Sequence, residues 1–153
     1  MGQMAAGIGA EIADALGTLL RRSTRAGLYR QLTEGLGLDE AAYPVLSGLA
    51  RTGPLSAAAL AQDVGLDRSG VSRHADRLEA AGLISRQPDP ADGRAILLAL
   101  TEHGERVVAV TRDRLAARIA SSLRDWPPAE ATAFARALRR FATEGPFLPC
   151  PEA

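Results

Sequence analysis

The residues able to do chemistry gather between Leu66 and Thr101, in the run LDRSGVSRHADRLEAAGLISRQPDPADGRAILLALT. Its first half sets Arg68, Arg73 and Arg77 among the hydroxyls of Ser69 and Ser72 and the imidazole of His74. Its second half carries Arg86 and a turn-rich loop ending Asp92-Gly93-Arg94. A guanidinium fork can bridge O6 and N7 of guanine. Hydroxyls and free N–H groups at a helix start can hold phosphate. An arginine at the tip of a β-ribbon can enter a narrow minor groove. The chemistry on offer is therefore recognition of duplex DNA.

Bond-making chemistry finds little support. His74 and His103 are far apart in sequence, and neither has a second ligand at metal spacing. Cys150, the sole cysteine, has no evident base. Gly7-Ile8-Gly9 opens like a dinucleotide fingerprint, but no strand precedes it. The reading is a non-enzyme with no catalytic residue, metal or cofactor.

Within the recognition set, Ser72 and Arg73 are the candidate base readers, with Ser69 and His74 near the groove floor. Arg68 and Arg77 are candidate phosphate clamps. Arg86 lies near the end of the first strand, and Ser56 starts the preceding helix with a hydroxyl. Asp92 and Arg94 are expected to pair, holding the guanidinium extended; the plainer reading is a bridge that stiffens the turn, and the two are compatible. Gly70 is open to two readings, a close backbone approach to DNA or a neutral substitution. The plain alternative for the whole face is a solvated helix surface.

These side chains need a frame. Asp67 is a good helix cap, and Val71, Ala75 and Leu78 recur at intervals of four and three as a buried stripe. The outer face then holds Ser69, Ser72, Arg73 and Asp76, and Gly82 ends the helix. Leu83 and Ile84 begin one strand, Pro88–Gly93 turns, and Ala95–Leu100 returns as the second. Ser56 caps a helix over 57–63, and Gly65 turns it into the next. Asp39 is expected to cap a helix through Val45, Leu46 and Leu49, with Pro44 too deep in it for comfort. Apolar residues Ile8, Ile12, Leu16, Leu19 and Leu20 predict one long first helix over 5–32, ending at Gly35 or Gly37. Thr101 caps a helix over 102–123 with Val107, Val108, Leu115 and Ile119. Trp126-Pro127-Pro128 breaks it, and a last helix carries Phe134, Leu138 and Phe141.

The fold class is mainly α with a small β-wing: a winged helix-turn-helix with helical arms at both ends. Residues 38–101 form the DNA-binding part. Residues 1–37 and 102–145 form a dimerisation region, with Ile8, Ile12, Leu16, Leu19, Leu115, Ile119, Phe134 and Leu138 as its contact set. Residues 146–153 are a tail.

Composition agrees. The chain has 153 residues, 46% hydrophobic and only 4% aromatic, so leucine and alanine must fill the core, which favours packed helices. Formal net charge is zero, so DNA binding depends on where the arginines point and not on a general basic field. Every basic side chain apart from histidine is arginine, a pattern a GC-rich genome produces without selection for function. No apolar run approaches the roughly 18 residues that span a bilayer. Residues 1–15 lack a basic start and include Glu11 and Asp14, so a secretory signal is not expected and the cytoplasm is the expected location. A single cysteine fits a reducing compartment; Cys150 is read as an inert tail thiol, with a redox role as the alternative.

Taken together, Leu60-Ala61, Val71-Ser72-Arg73, Arg77-Leu78-Glu79, Gly82-Leu83-Ile84, Arg86, Asp89-Pro90, Asp92-Gly93-Arg94, Leu100-Thr101 and Gly104 resemble the MarR family of bacterial transcription factors. The flanking helices fit as well, so the resemblance covers nearly the whole chain. It implies a two-fold homodimer on a pseudo-palindromic operator, usually acting as a repressor. It also implies a cavity for small aromatic or lipophilic effectors, for which Tyr29, Tyr43 and Leu46 are candidate walls and core packing is the plain alternative. There are departures. The first helix lacks the cysteine of the peroxide-sensing branch, Gly70 replaces a usual hydroxyl residue, and Pro44 lies in the helix expected to line the cavity. The rival reading is a winged-helix module that pairs with protein and has lost DNA contact.

Overall fold

The computed structural model describes residues 2–145; the tail from 146, with Cys150, lies outside them. Helices α1 (Gly2–Leu20) and α2 (Arg22–Thr33) precede a single 3-10 turn (Glu40–Ala42). Then come α3 (Tyr43–Thr52), α4 (Ala57–Val64), α5 (Arg68–Ala80), strands β1 (Ile84–Pro88) and β2 (Ile96–Leu100), α6 (Glu102–Ser122) and α7 (Pro128–Glu144). None of these helices is long and apolar enough to cross a membrane. The chain divides into two compact units after Arg114, inside α6.

The core of the first unit is built as the composition requires. Leu46, Leu49, Leu60, Val71, Ala75, Leu78, Leu83, Ile84 and Leu98 pack together with Val107 and Val108. The predicted stripe of α5 is therefore buried, and its other face is left for function. Ser56 and Asp67 cap α4 and α5 as expected, accepting from the backbone N–H groups of Ala59 and Gly70. Gly65 (φ 68°) and Gly82 (φ 71°) take the left-handed conformation at the ends of these helices, and Leu83 N–H reaches back to Leu78 C=O. The strands pair antiparallel with Arg86 opposite Leu98. Leu55 and Leu98 exchange backbone hydrogen bonds of 3.1 and 2.8 Å, tying β2 to the α3–α4 connection.

Three expectations need correction. The long first helix is two: Arg21 leaves the helical region at φ −55°, ψ 136°. The hydroxyl of Thr24 donates to Thr18 C=O at 3.0 Å, giving the end of α1 a partner that a continuous helix would not need. Asp39 caps the 3-10 turn, accepting from Ala41 N–H, and α3 begins only at Tyr43. Pro44 thus falls in the first turn of α3, where its missing N–H costs nothing. Finally, Asp92 does not hold the Arg94 guanidinium. Its carboxylate accepts from the Arg94 backbone N–H at 3.0 Å, an Asx-type turn that sharpens the wing tip and leaves the side chain unpaired.

The second unit holds the end of α6 and all of α7. Ile119, Trp126, Phe134 and Leu138 are exposed on it, with the Trp126 and Phe134 rings 5.5 Å apart. In the first unit, Ile8, Ile12 and Leu19 on α1 are exposed too, while Leu16 and Leu115 are half-buried.

Candidate nucleic-acid interface

The N-terminus of α4, the outer face of α5 and the wing enclose a cleft of about 450 Å³. Ser56, Arg68, Ser72, Arg86 and Arg94 line it, with Ala95, Ile96 and Leu98 supplying apolar wall. Five of the residues chosen from sequence thus meet in one place, brought there by three different elements. Arg73 is exposed on α5 outside this lining.

The arginines divide by partner. Among the described residues, Arg68, Arg73 and Arg94 have no ion pair. Arg77 is bound by Asp39 at 2.6 Å, so the expected phosphate clamp is anchored to the turn before α3. The Asp39 carboxyl is held below the usual carboxylate range, first by the Ala41 N–H it accepts and then by Arg77, with His74 adding to the effect. Arg86 is bound by both Asp76 and Glu79.

The hydroxyls are partly engaged. Ser69 donates to the Asp67 carboxylate at 2.6 Å, and this bond together with the Gly70 N–H keeps the Asp67 carboxyl low. Ser72 donates to Arg68 C=O at 2.9 Å, so its hydroxyl can still accept but has no proton left to give. Ser56 accepts at the cap and keeps its own proton for a phosphate oxygen. His74 is half-buried, with Nδ1 sealed from solvent and without a hydrogen-bond partner, so the position expected at the groove floor is turned partly inward. Gly70 is buried beneath the cap, where an added Cβ would touch the Asp67 carboxylate at 3.4 Å. That placement sides with a neutral glycine.

The aromatic candidates for an effector wall do touch: the Tyr29 and Tyr43 rings are 5.0 Å apart. Leu46, however, is wholly within the core. A different cleft, of about 300 Å³, opens between the end of α3, β2 and the start of α6. Leu49, Leu100, Val108 and Ala109 give it an apolar floor, and Glu105 and Arg112 are its charged walls.

Several organising groups escaped sequence reasoning. Asp39, expected only as a cap, restrains Arg77, while Asp76 and Glu79, given no role by the sequence, restrain Arg86. Arg114 donates to the carbonyls of Leu32 and Glu34 at 2.9 and 2.7 Å, capping the C-terminus of α2 from 80 residues away. Only Arg86 left a sequence signal: it stands two residues from Ile84 on a strand, hence on the same face.

A family model described as MarR family matches residues 36–95, the span from the turn before α3 to the wing tip. The uncharacterized HTH-type transcriptional regulator YxaD of Bacillus subtilis (strain 168) is 32% identical over 125 residues, 82% of this chain and 86% of that protein. The crystal structure of RV1404 from Mycobacterium tuberculosis superposes with a TM-score of 0.69 at 30% identity, over 92% of this chain and 94% of that one. BpsR of Bordetella bronchiseptica, whose DNA binding is regulated by 6-hydroxynicotinic acid, gives 0.59 at 28% identity, over 84% and 98%. With a winged helix-turn-helix fold and these relatives, the chain belongs to the MarR family of transcriptional regulators. Members of that family bind DNA and act as dimers.

Proposed function

We infer that two copies of this chain bind a pseudo-palindromic operator in the cytoplasm and repress transcription from it. Each copy lays α5 in a major groove and the wing tip in the adjacent minor groove. One observation carries the reading: the guanidiniums of Arg68 and Arg94, free of carboxylate partners, face one cleft beside the exposed Arg73. Near-neutral overall charge makes such placement matter more than field. The exposed apolar residues of α1, α6 and α7 support the pairing of two copies. A small aromatic or lipophilic acid is the effector class, its ring on the apolar floor beside Val108 and its carboxylate on Arg112, which has no ion pair among the described residues. BpsR, regulated by such an acid, supports this assignment.

Arg73→Ala and Arg94→Ala test the assignment. Each removes an exposed side chain, so the fold should persist while operator affinity drops roughly 10- to 100-fold, the worth of one good base or groove contact. Arg73→Ala should also relax base preference at one position of the half-site. Titration against a selected duplex at several salt concentrations reads both effects. Unchanged affinity in both variants refutes the assignment, and a binding curve indifferent to salt favours the protein-pairing module instead.

A further inference from the structure

Of the three arginines lining the cleft, Arg86 is the one held by carboxylates, and it is held by two. Its Nη2 lies 2.6 Å from Asp76 Oδ1, and its Nη1 is hydrogen-bonded to Glu79 Oε2. Asp76 and Glu79 are three residues apart, hence neighbours on one face of α5. Arg86 stands two residues from the buried Ile84 and shares its face of β1, so its side chain leaves on the side where α5 lies. One guanidinium against two carboxylates leaves a net negative cluster, which repels a phosphate rather than binding it. Arg68 and Arg94, by contrast, bring uncompensated charge to the same cleft.

The geometry points to Arg86 as a positioning residue: it clasps β1 to α5 and so sets the separation between the reading face of α5 and Arg94 at the wing tip, without touching DNA itself. This rests on the DNA-binding reading above. The wing needs two anchors because its strands are only five residues long and, apart from the Leu55–Leu98 bridge, pair only with each other. The Leu55–Leu98 bridge holds β2 at the base. The Arg86 clasp holds β1 from the other side, and two anchors on different elements fix an angle that one leaves free. Specificity requires that fixed angle, since helix and wing must meet their grooves together.

Two variants of the full chain distinguish a clasp from a contact: Arg86→Met, which keeps the stem and removes the charge, and the pair Asp76→Asn with Glu79→Gln. The probes are a duplex selected by the wild-type protein from a random pool and a scrambled duplex of equal length. Comparing the two cancels the general effect of altered charge. Both variants are expected to lose about tenfold in the ratio of selected to scrambled affinity, and Arg86→Met should keep the wild-type salt slope. A slope shallower by about 0.9, one phosphate's worth, with the ratio preserved means that Arg86 contacts DNA and overturns the proposal. So does a preserved ratio in the Asn/Gln pair, which decides alone if Arg86→Met fails to fold. Hydrogen exchange on the free protein supplies an arm without DNA. Amides of β1 and β2 should exchange faster in the Asn/Gln pair while those of α3 do not; unchanged exchange in the wing overturns the clasp. If the wild-type protein selects no duplex, the DNA-binding reading fails, and exchange still decides the clasp.

Discussion

Ile12→Asp combined with Leu138→Asp is expected to leave a folded monomer that has lost operator affinity on the order of a hundredfold or more, because two linked half-site contacts become one. The side chains are 41% and 51% exposed in the single chain, so replacing them removes little from either unit's own packing. In the proposed pairing, the partner copy is what buries them. Each sits on a helix that carries further exposed apolar residues, Ile8 and Leu19 on α1 and Phe134 on α7. A carboxylate inside a buried apolar interface is left without a partner, and burying an unpaired charge costs far more than the lost apolar area. Sedimentation should show one copy at concentrations where the wild-type chain is paired, with an unchanged circular dichroism spectrum. A variant that remains paired with full affinity places the interface elsewhere.

Gly104→Ala carries the second large effect, and it acts on the fold. A Cβ at this position would lie 2.0 Å from the backbone oxygen of Leu83, with Leu100 Cδ2 at 3.3 Å. Neither the oxygen nor its neighbours can yield easily. Leu83 C=O already accepts from Thr101 N–H at 3.1 Å, while Thr101 Oγ1 accepts from Gly104 N–H at 3.0 Å and donates to Gly82 C=O at 2.7 Å. This corner seats α6 on the turn that ends α5. The added methyl must push α6 away and break part of the corner, costing about 3 kcal/mol, the upper range for overpacking. At the size of this chain that lowers the melting temperature by roughly 6–12 °C. A melting curve within a degree of wild type would mean that the corner adapts freely and does not set the position of α6.

Much of this architecture could be read from sequence because it is encoded locally. The Asp67 cap, the Val71–Ala75–Leu78 stripe and the glycine at 82 each act within one helical turn, so they placed α5 within a residue or two of its ends. The apolar run over 95–100 and the turn chemistry before it did the same for the wing. The misses come from side chains that take backbone partners and from contacts between elements. Apolar spacing continues through Arg21, so periodicity alone could not see that Thr24 offers the end of α1 another partner. The expected Asp92–Arg94 bridge failed because an aspartate two residues before an N–H reaches that backbone group more easily than it reaches a long, flexible guanidinium. The division of the arginines was also illegible. Composition counts charges, but which of them are compensated depends on where α5 and β1 meet in space.

Gly104 shows the same limit from the other side. It stood out in the sequence only as part of a family pattern. Its reason, the approach of α6 to the Leu83 carbonyl, exists only once α5, the turn and β2 are assembled.

Hydroxyl-radical footprinting of the wild-type chain on a duplex it selects from a random pool tests the central claim most directly. The account predicts two protected windows related by two-fold symmetry, centred about one helical repeat apart, and both lost together as salt rises. A single window, or protection that persists unchanged at high salt, contradicts it.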